Sequence, residues 1–297
     1  MKISTIALSS CCGCHMALVD LGPELLDYLG GGALVFSPVL MDTKEIPECD
    51  VALVEGSIRN SENLENLKAI RARAKTLVAL GTCACFGGVP ALGSAFPTLE
   101  LLLKGYGEGF EPDDLPVLEP RVYPLDSWVA VDYYLPGCPP PAAKLREAIR
   151  CLAKGDKPGH QDAPVCSDCQ RVAHKGVCPD VKRMVDTVPN AQECLLSQGY
   201  LCLGSVSRNG CGAACTHAGV PCTGCRGPID RVLTDPSHGI LYDLIRRISH
   251  FTGKSEKEVK QKLPDMLHTL YGYTLSMPEL RRKDAESVGE LIYRIEV

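Results

Sequence analysis

The sequence predicts an α/β protein: a doubly wound sheet of parallel strands, then an irregular cysteine-rich segment, then a helical tail. Three observations predict it. Over residues 1–154, short apolar runs rich in β-branched residues alternate with stretches of helical period, the pattern of a parallel sheet covered by helices. Nine of the seventeen cysteines then fall between Cys166 and Cys225, where apolar periodicity lapses and turn residues crowd in. Beyond Gly227, helical signals return.

Taken in order, Lys2–Ser9, Ala33–Met41, Val51–Glu55 and Thr76–Leu80 read as buried strands. Met16–Leu29 and Ser61–Ala74 read as helices between them. In the second, Leu64, Leu67, Ile70 and Ala74 recur at three- and four-residue steps and make one apolar face. Val129–Leu135 reads as a later strand. Pro140–Ala153 opens on prolines, which suit a helix N-terminus, and buries Leu145, Ala148, Ile149 and Leu152. Lys154–Pro164, polar and containing Gly and Pro, marks the main boundary. Three regions follow: 1–154 as the sheet domain, 155–232 as the cysteine-rich domain and 233–297 as a helical extension. In the extension, Ser255 and Glu258 form an S-x-x-E capping box, and Pro278–Tyr293 predicts a final amphipathic helix.

Bulk properties exclude several classes. A net charge of −5 and 5% aromatic residues argue against a nucleic-acid surface. No stretch reaches the roughly 18 apolar residues of a membrane span. The N-terminal MKISTIALSSCCGC has one Lys, a short apolar run and no twin arginine, so no export signal is expected and the chain is placed in the cytoplasm. In that reducing compartment, dense cysteine points to metal binding or catalysis rather than disulfides. Seventeen is odd, so complete internal pairing is ruled out. There is no Ser-His-Asp order, P-loop or G-x-G-x-x-G, and catalysis by side chains of this chain has no support.

The N-terminal thiols sit at strand ends. Cys11, Cys12 and Cys14 follow the first strand, Cys83 and Cys85 follow Thr76–Leu80 in GTCACFGG, and Cys138 follows Val129–Leu135 in LPGCPPP. Three strand ends therefore present thiols on the carboxyl edge of the sheet, where open α/β sheets bind ligands. Neighbouring glycines let backbone approach a bulky group closely.

Twelve cysteines sort into three sets of four. The first is Cys11, Cys14, Cys83 and Cys138; the second Cys166, Cys169, Cys194 and Cys202; the third Cys211, Cys215, Cys222 and Cys225. Four thiolates hold either a cubane [4Fe–4S] cluster or a tetrahedral zinc, and a [2Fe–2S] cluster fits the same ligand count. Three such sites in one chain favour a relay of iron–sulfur clusters, since a structural role needs one. From Cys166 to Gly227 the chain buries little apolar surface, so metal binding would supply folding free energy.

CCGC after the first strand, VEGS at Val54–Ser57, GTCACFGG, LPGCPPP, ECLLSQGYLCLG and CTGCRGP resemble the small subunit of a [NiFe] hydrogenase, from the N-terminus to about Pro228. The resemblance is closest to the cytosolic group that includes F420-non-reducing enzymes linked to heterodisulfide reductase, and F420- and NAD(P)-linked ones. It implies a flavodoxin-like sheet and three [4Fe–4S] clusters. Cys11, Cys14, Cys83 and Cys138 would hold the proximal cluster, Cys211, Cys215, Cys222 and Cys225 the medial, and Cys166, Cys169, Cys194 and Cys202 the distal. It implies as partners a large subunit carrying the Ni–Fe centre and an iron–sulfur or flavin acceptor subunit, with heterodisulfide reductase one candidate. No nucleic acid and no direct membrane span are implied. Periplasmic members have a histidine where this chain has Cys166, and usually three cysteines at the medial site where this chain has four. Oxygen-tolerant relatives add cysteines at the positions of Gly13 and Gly88, which Cys12 and Cys85 do not occupy.

Other readings stand beside this one: a relay subunit of complex I-related machinery, or a zinc-stabilised scaffold. Cys12, Cys85, Cys49 and Cys151 read as small apolar residues or surface thiols. Cys178 could replace Cys194, although the ECLLSQGYLCLG spacing favours Cys194. The resemblance places Glu55 near the proximal cluster, in a proton, interface or backbone-satisfying role. His15 and His217 read as surface groups or as partners of ligands, and Arg226 as solvated or facing a partner.

Overall fold

The structure, a computed structural model, describes the chain except residues 30–32, 109–114, 157, 160–161, 176–179, 186, 235–238, 264–265 and 278–297. Two units are present, Met1–Gly159 joined by Tyr273–Met277, and His160–Gly272.

The first unit is built on a parallel sheet of five strands, β1 (Ile3–Ala7), β2 (Leu34–Phe36), β3 (Cys49–Glu55), β5 (Ala74–Leu80) and β7 (Tyr133–Leu135). Their order across the sheet is β2-β1-β3-β5-β7. Ile3 pairs with Val51 and Ala7 with Glu55, while Val51 pairs with Thr76 and Glu55 with Leu80, so β1, β3 and β5 end in step. Successive side chains point to opposite faces, and both faces are dry. Ile3, Val51, Leu53, Val78 and Leu80 pack with Leu18, Leu21, Leu25, Leu145 and Ile149 of α1 (Gly13–Val19), α2 (Pro23–Leu29) and α6 (Ala142–Ala153) and the turn between the first two. Ala52, Val54 and Leu77 are wholly buried, as are Leu67 and Ile70 of α3 (Ser61–Arg73), which packs on β3 and β5. This is the expected doubly wound sheet.

Local departures have local causes. The helix predicted over Met16–Leu29 divides at Gly22, whose φ of 62° ends α1, with Pro23 opening α2. The strand over Val129–Leu135 shortens to three residues because a 3-10 turn occupies Leu125–Ser127 just before it. Ala33–Met41 shortens to β2, because Ser37 turns the chain and accepts the Leu40 N–H on its hydroxyl. An antiparallel pair of β4 (Ile58–Asn60) and β6 (Leu118–Tyr123) was not predicted, and neither was α4 (Gly81–Phe86) or α5 (Thr98–Tyr106). Leu152 is half-buried against the core where full burial was expected.

Among its described residues, the cysteine-rich part of the second unit is irregular, with 3-10 turns at Val165–Ser167 and Leu203–Ser205 and one short helix, α7 (Ala214–His217). Helices α8 (Asp230–Thr234), α9 (Ile240–Thr252), α10 (Glu256–Gln261) and α11 (Met266–Tyr271) follow. Helix α9 buries Ile240, Leu241, Leu244, Ile245 and Ile248. At α10 the capping box forms: the Ser255 hydroxyl accepts from the Glu258 N–H, and Glu258 Oε2 accepts from the Ser255 N–H at 2.9 Å. Among the described residues, no helix is long and apolar enough to cross a membrane. The helix predicted over Pro278–Tyr293 lies outside the described residues.

The chain returns to the first unit near its C-terminal end. Thr274, Leu275, Ser276 and Met277 are all buried, and Ser276 Oγ donates to the Val122 carbonyl at 2.5 Å. Gly87, at the end of α4, has φ 88°, and a Cβ there would lie 2.6 Å from Ser276 Cβ. Gly87→Ala combines a left-handed penalty with overpacking and should cost about 2 kcal/mol or more, read as a lowered midpoint in anaerobic urea unfolding.

Candidate metal centres

The order β2-β1-β3 places the point where the winding direction reverses between β1 and β3, and open α/β sheets bind ligands at the carboxyl end of that crevice. Here the two strand ends are tied together. Ser9 and Ser57 exchange backbone hydrogen bonds at 3.1 and 3.0 Å, and the Leu8 N–H donates to the Glu55 carbonyl. Gly56 takes φ 94°, and a Cβ there would come within 2.9 Å of the Leu8 backbone.

From the end of β3, the Glu55 carboxylate reaches the first turn of α1. Oε1 accepts the Cys14 N–H at 3.3 Å, and Oε2 accepts the His15 N–H at 3.0 Å and the His15 Nδ1–H at 2.5 Å. Glu55 and His15 are each 1% exposed. Burial opposes ionisation of Glu55, but the His15 side chain and the two N–H groups outweigh it and hold the carboxyl below its ordinary range. The carboxylate thus satisfies N–H groups that a helix N-terminus leaves open.

Three loops meet at Gly81. A Cβ there would fall 2.2 Å from Cys14 Sγ and 3.6 Å from the Gly137 carbonyl. The Thr82 N–H donates to that carbonyl, and the Gly137 N–H returns a bond to Thr82 Oγ1, each at 3.0 Å. At Gly88 (φ 60°) a Cβ would meet Cys83 Sγ at 2.5 Å, and at Gly13 one would lie 3.2 Å from Cys11 Sγ. Glycine at these places leaves the sulfurs room. Burial, and then the neighbouring thiolates and Glu55, push Cys83 up to about 12, and burial raises Cys14 and Cys138 with neighbouring thiolates and Glu55 adding. Such thiols ionise when a cation compensates them, and metal binding would release their protons. Cys11 and Cys138 are exposed, so the group opens at the surface of this unit.

In the second unit two further groups adjoin. A Cβ on Gly204 would lie 3.5 Å from Cys166 Sγ, 3.6 Å from Cys202 Sγ and 3.7 Å from Cys222 Cβ. Burial, and then Cys202 and Cys194, push Cys166 up to about 12, with Cys169 adding less. Cys211, Cys215, Cys222 and Cys225 all line one cavity of about 50 Å³ that is partly open to solvent, with Arg208 and Arg226. The Cys222 N–H donates to Cys202 Sγ at 3.3 Å, linking the two groups directly. Among the described residues, no cluster of three or more His, Cys, Asp and Glu forms a site for a single metal ion. Thiols with glycines beside them, as at Cys11, Cys14, Cys83, Cys166 and Cys202, are the donor type that iron–sulfur clusters take.

The remaining candidates separate. Cys85 is buried and donates its thiol to the Ala79 carbonyl at 3.3 Å, and Cys49 is buried at the start of β3. Cys12 occupies a left-handed position before α1, and Cys151 is half-buried in α6. His217 is exposed. Arg226, read from the sequence as solvated or facing a partner, is 6% exposed and fixed by its Nε to the Asn209 carbonyl at 2.7 Å. Cys178 lies outside the described residues. One residue goes unsignalled in the sequence: Arg171 donates to the carbonyls of Thr216, Asn190 and Glu193, bracing the turn at Cys215 against the segment entering Cys194.

Comparison with known proteins shows the family. The chain is 40% identical over 245 residues to a vhu-type F420-non-reducing hydrogenase subunit of Methanococcus voltae, covering 80% of this chain and 85% of that protein. It is 37% identical over 291 residues to the subunit of the same name from Methanocaldococcus jannaschii, covering 95% and 98%. The chain belongs to this family of [NiFe] hydrogenase small subunits. The family described as NADH ubiquinone oxidoreductase, 20 Kd subunit, matches residues 11–152 of this small subunit. In fold it is similar to a chain of the actinobacterial-type NiFe-hydrogenase from Ralstonia eutropha, with a TM-score of 0.52, 16% identity, and coverage of 92% of this chain and 95% of that one.

For this hydrogenase small subunit the carboxylate at β3 is the local keystone. Glu55→Ala leaves two N–H groups and a buried histidine without their acceptor and should cost about 3–5 kcal/mol in urea unfolding, with Glu55→Gln losing less.

Proposed function

We propose that this chain is the electron-transfer subunit of a cytoplasmic [NiFe] hydrogenase. It relays electrons from H2 oxidation at a partner large subunit, which carries the Ni–Fe centre, to an acceptor subunit. Cys11, Cys14, Cys83 and Cys138 hold the proximal [4Fe–4S] cluster. Cys211, Cys215, Cys222 and Cys225 hold the medial one, and Cys166, Cys169, Cys194 and Cys202 the distal one. The bound clusters supply one-electron redox chemistry; the protein supplies spacing, burial and charge. The observation that carries this reading is the grouping of the thiols. Cys14 Sγ lies at Gly81 on the sheet edge, where Cys83, Cys138 and Cys11 bear on its ionisation, and the later thiols meet where the Cys222 N–H donates to Cys202 Sγ. The acceptor is an iron–sulfur or flavin subunit, with a heterodisulfide reductase-linked one the first candidate, since the relatives named above are F420-non-reducing hydrogenase subunits.

A relay subunit of complex I type is less well supported, because that family's match ends at residue 152, before Cys166, whereas the hydrogenase relatives extend across both later groups. Regions 1–154, 155–232 and 233–297 then serve as the proximal-cluster domain, the cluster-rich domain and a helical extension.

Iron and zinc counts on anaerobically purified complex test the reading. About twelve irons per copy of this chain are expected, and about three zincs with no visible absorption would overturn it. Cys194→Ala should cost about four irons while Cys178→Ala costs none. Cys85→Ala should also retain all iron, since its thiol bonds to a carbonyl in the core. Nickel in a copurifying large subunit separates a hydrogenase from a complex I-type partner.

A further inference from the structure

The run CSDCQR, from Cys166 to Arg171, contributes two thiols to one of the later groups, yet two of its other side chains reach the second. Asp168 Oδ1 accepts from the Asn209 side-chain amide at 3.2 Å, and Oδ2 accepts the Gly210 N–H at 3.4 Å, immediately before Cys211. Arg171 Nε donates to the Thr216 carbonyl at 2.7 Å, immediately after Cys215. The turn from Cys211 to Cys215 is therefore held at both ends from this run. Bonds around the turn itself are short in range. Thr216 Oγ1 and the His217 N–H both donate to the Ala213 carbonyl, and the Val220 N–H donates to the Cys215 carbonyl. Such bonds shape the turn without fixing where it lies. Arg171 Nη1 also donates to the Asn190 and Glu193 carbonyls, beside Cys194, but that segment has other supports. Gln198 Nε2 donates to the same two carbonyls at 3.2 and 2.9 Å, the Asn190 N–H donates to Gln198 Oε1 at 2.7 Å, and the Cys194 N–H donates to the Val172 carbonyl. At the Asn209 end, Asp168 shares its task with Arg226 Nε, which donates to the Asn209 carbonyl, and with the Ala163 carbonyl, which accepts the Asn209 N–H. The Thr216 end thus leans most on Arg171.

We propose that Arg171, assisted by Asp168, is a positioning residue of the cluster held by Cys211, Cys215, Cys222 and Cys225, although both residues sit in the run that ligates the other cluster. This rests on the relay reading above. A planar fork with donors on more than one edge bridges two segments at once, and the point-like ammonium of lysine does not reproduce that geometry. Losing the fork frees the Thr216 end while the segment entering Cys194 keeps its remaining bonds. Cluster properties respond to hydrogen bonding at the sulfurs and to solvent exposure, so a displaced Cys215 registers in the spectrum of its own cluster.

The test is iron analysis with electron paramagnetic resonance of the reduced, anaerobically purified complex. Arg171→Ala, Arg171→Lys and Asp168→Ala are compared with two reference variants, Cys215→Ala and Cys194→Ala, each of which removes the signal of one later cluster and so identifies it. Arg171→Ala should shift or remove the signal missing from Cys215→Ala, at a cost of no more than about four irons, and leave in place the signal missing from Cys194→Ala. Arg171→Lys and Asp168→Ala should change the same signal to a smaller extent. No change in Arg171→Ala overturns the proposal, and so does a change confined to the signal missing from Cys194→Ala. Should Arg171→Ala lose both signals, Arg171→Lys and Asp168→Ala decide: a change confined to the signal missing from Cys215→Ala supports the proposal, and any other result overturns it. An unmodified complex lacking iron would be a different failure, that of the relay reading itself.

Discussion

Thiolates gathered at low dielectric repel one another, and much of this chain answers to that constraint. Burial and mutual repulsion raise Cys14, Cys83, Cys138, Cys166, Cys202 and Cys222 above an ordinary thiol. Each group therefore needs positive charge or donors close by. Backbone N–H groups meet part of the need: those of Gly204 and Cys222 lower Cys202, and that of Gly224 lowers Cys222. A bound metal would meet the rest, which ties the order of the cysteine-rich segment to its occupancy.

Two strategies hold the groups. In the first unit, strands that end in step deliver three loops to one edge, and Glu55 and the Thr82–Gly137 pair lock those loops to each other. Regular secondary structure does the positioning, and the glycines only clear space. In the second unit there is almost no regular structure around the thiols, so single side chains take over. Arg171 gathers three carbonyls, Asp168 accepts from the Asn209 side chain and the Gly210 N–H, and Ser207 Oγ donates to the Leu203 carbonyl. Such a framework is stable to the extent that each polar contact is kept.

The balance of legible and illegible features follows from the range of the forces. The parallel sheet is legible because buried strands write continuous apolar runs, and the strand-end cysteines are legible because a loop after a strand can only emerge at one edge. The capping box at Ser255 is legible because both partners lie within four residues. What escapes is long-range. The Glu55–His15 contact spans forty residues, Arg171 to Thr216 forty-five, and Ser276 to Val122 more than a hundred and fifty, with no periodicity to announce any of them. The burial of Arg226 escapes for another reason: a charged residue after a cysteine looks the same in sequence whether it faces water or is buried. The break at Gly22 could have been read from Leu-Gly-Pro, since glycine ends a helix and proline opens the next; apolar spacing across it masked the signal.

The returning segment Tyr273–Met277 has a consequence for synthesis. A ribosome that has released residues 1–159 has made every strand of the sheet and all four cysteines of its edge, but not the buried residues 274–277 that complete this unit. Residues 160–272, with all the later cysteines, must emerge first. Domains generally fold from the N-terminus as they are made, yet here the first to emerge is completed only after residues 160–272 of the other have been made. Contacts of such sequence separation form slowly. The interval leaves the end of the Cys83 helix at Gly87 without its packing against Ser276 until residues 274–277 arrive.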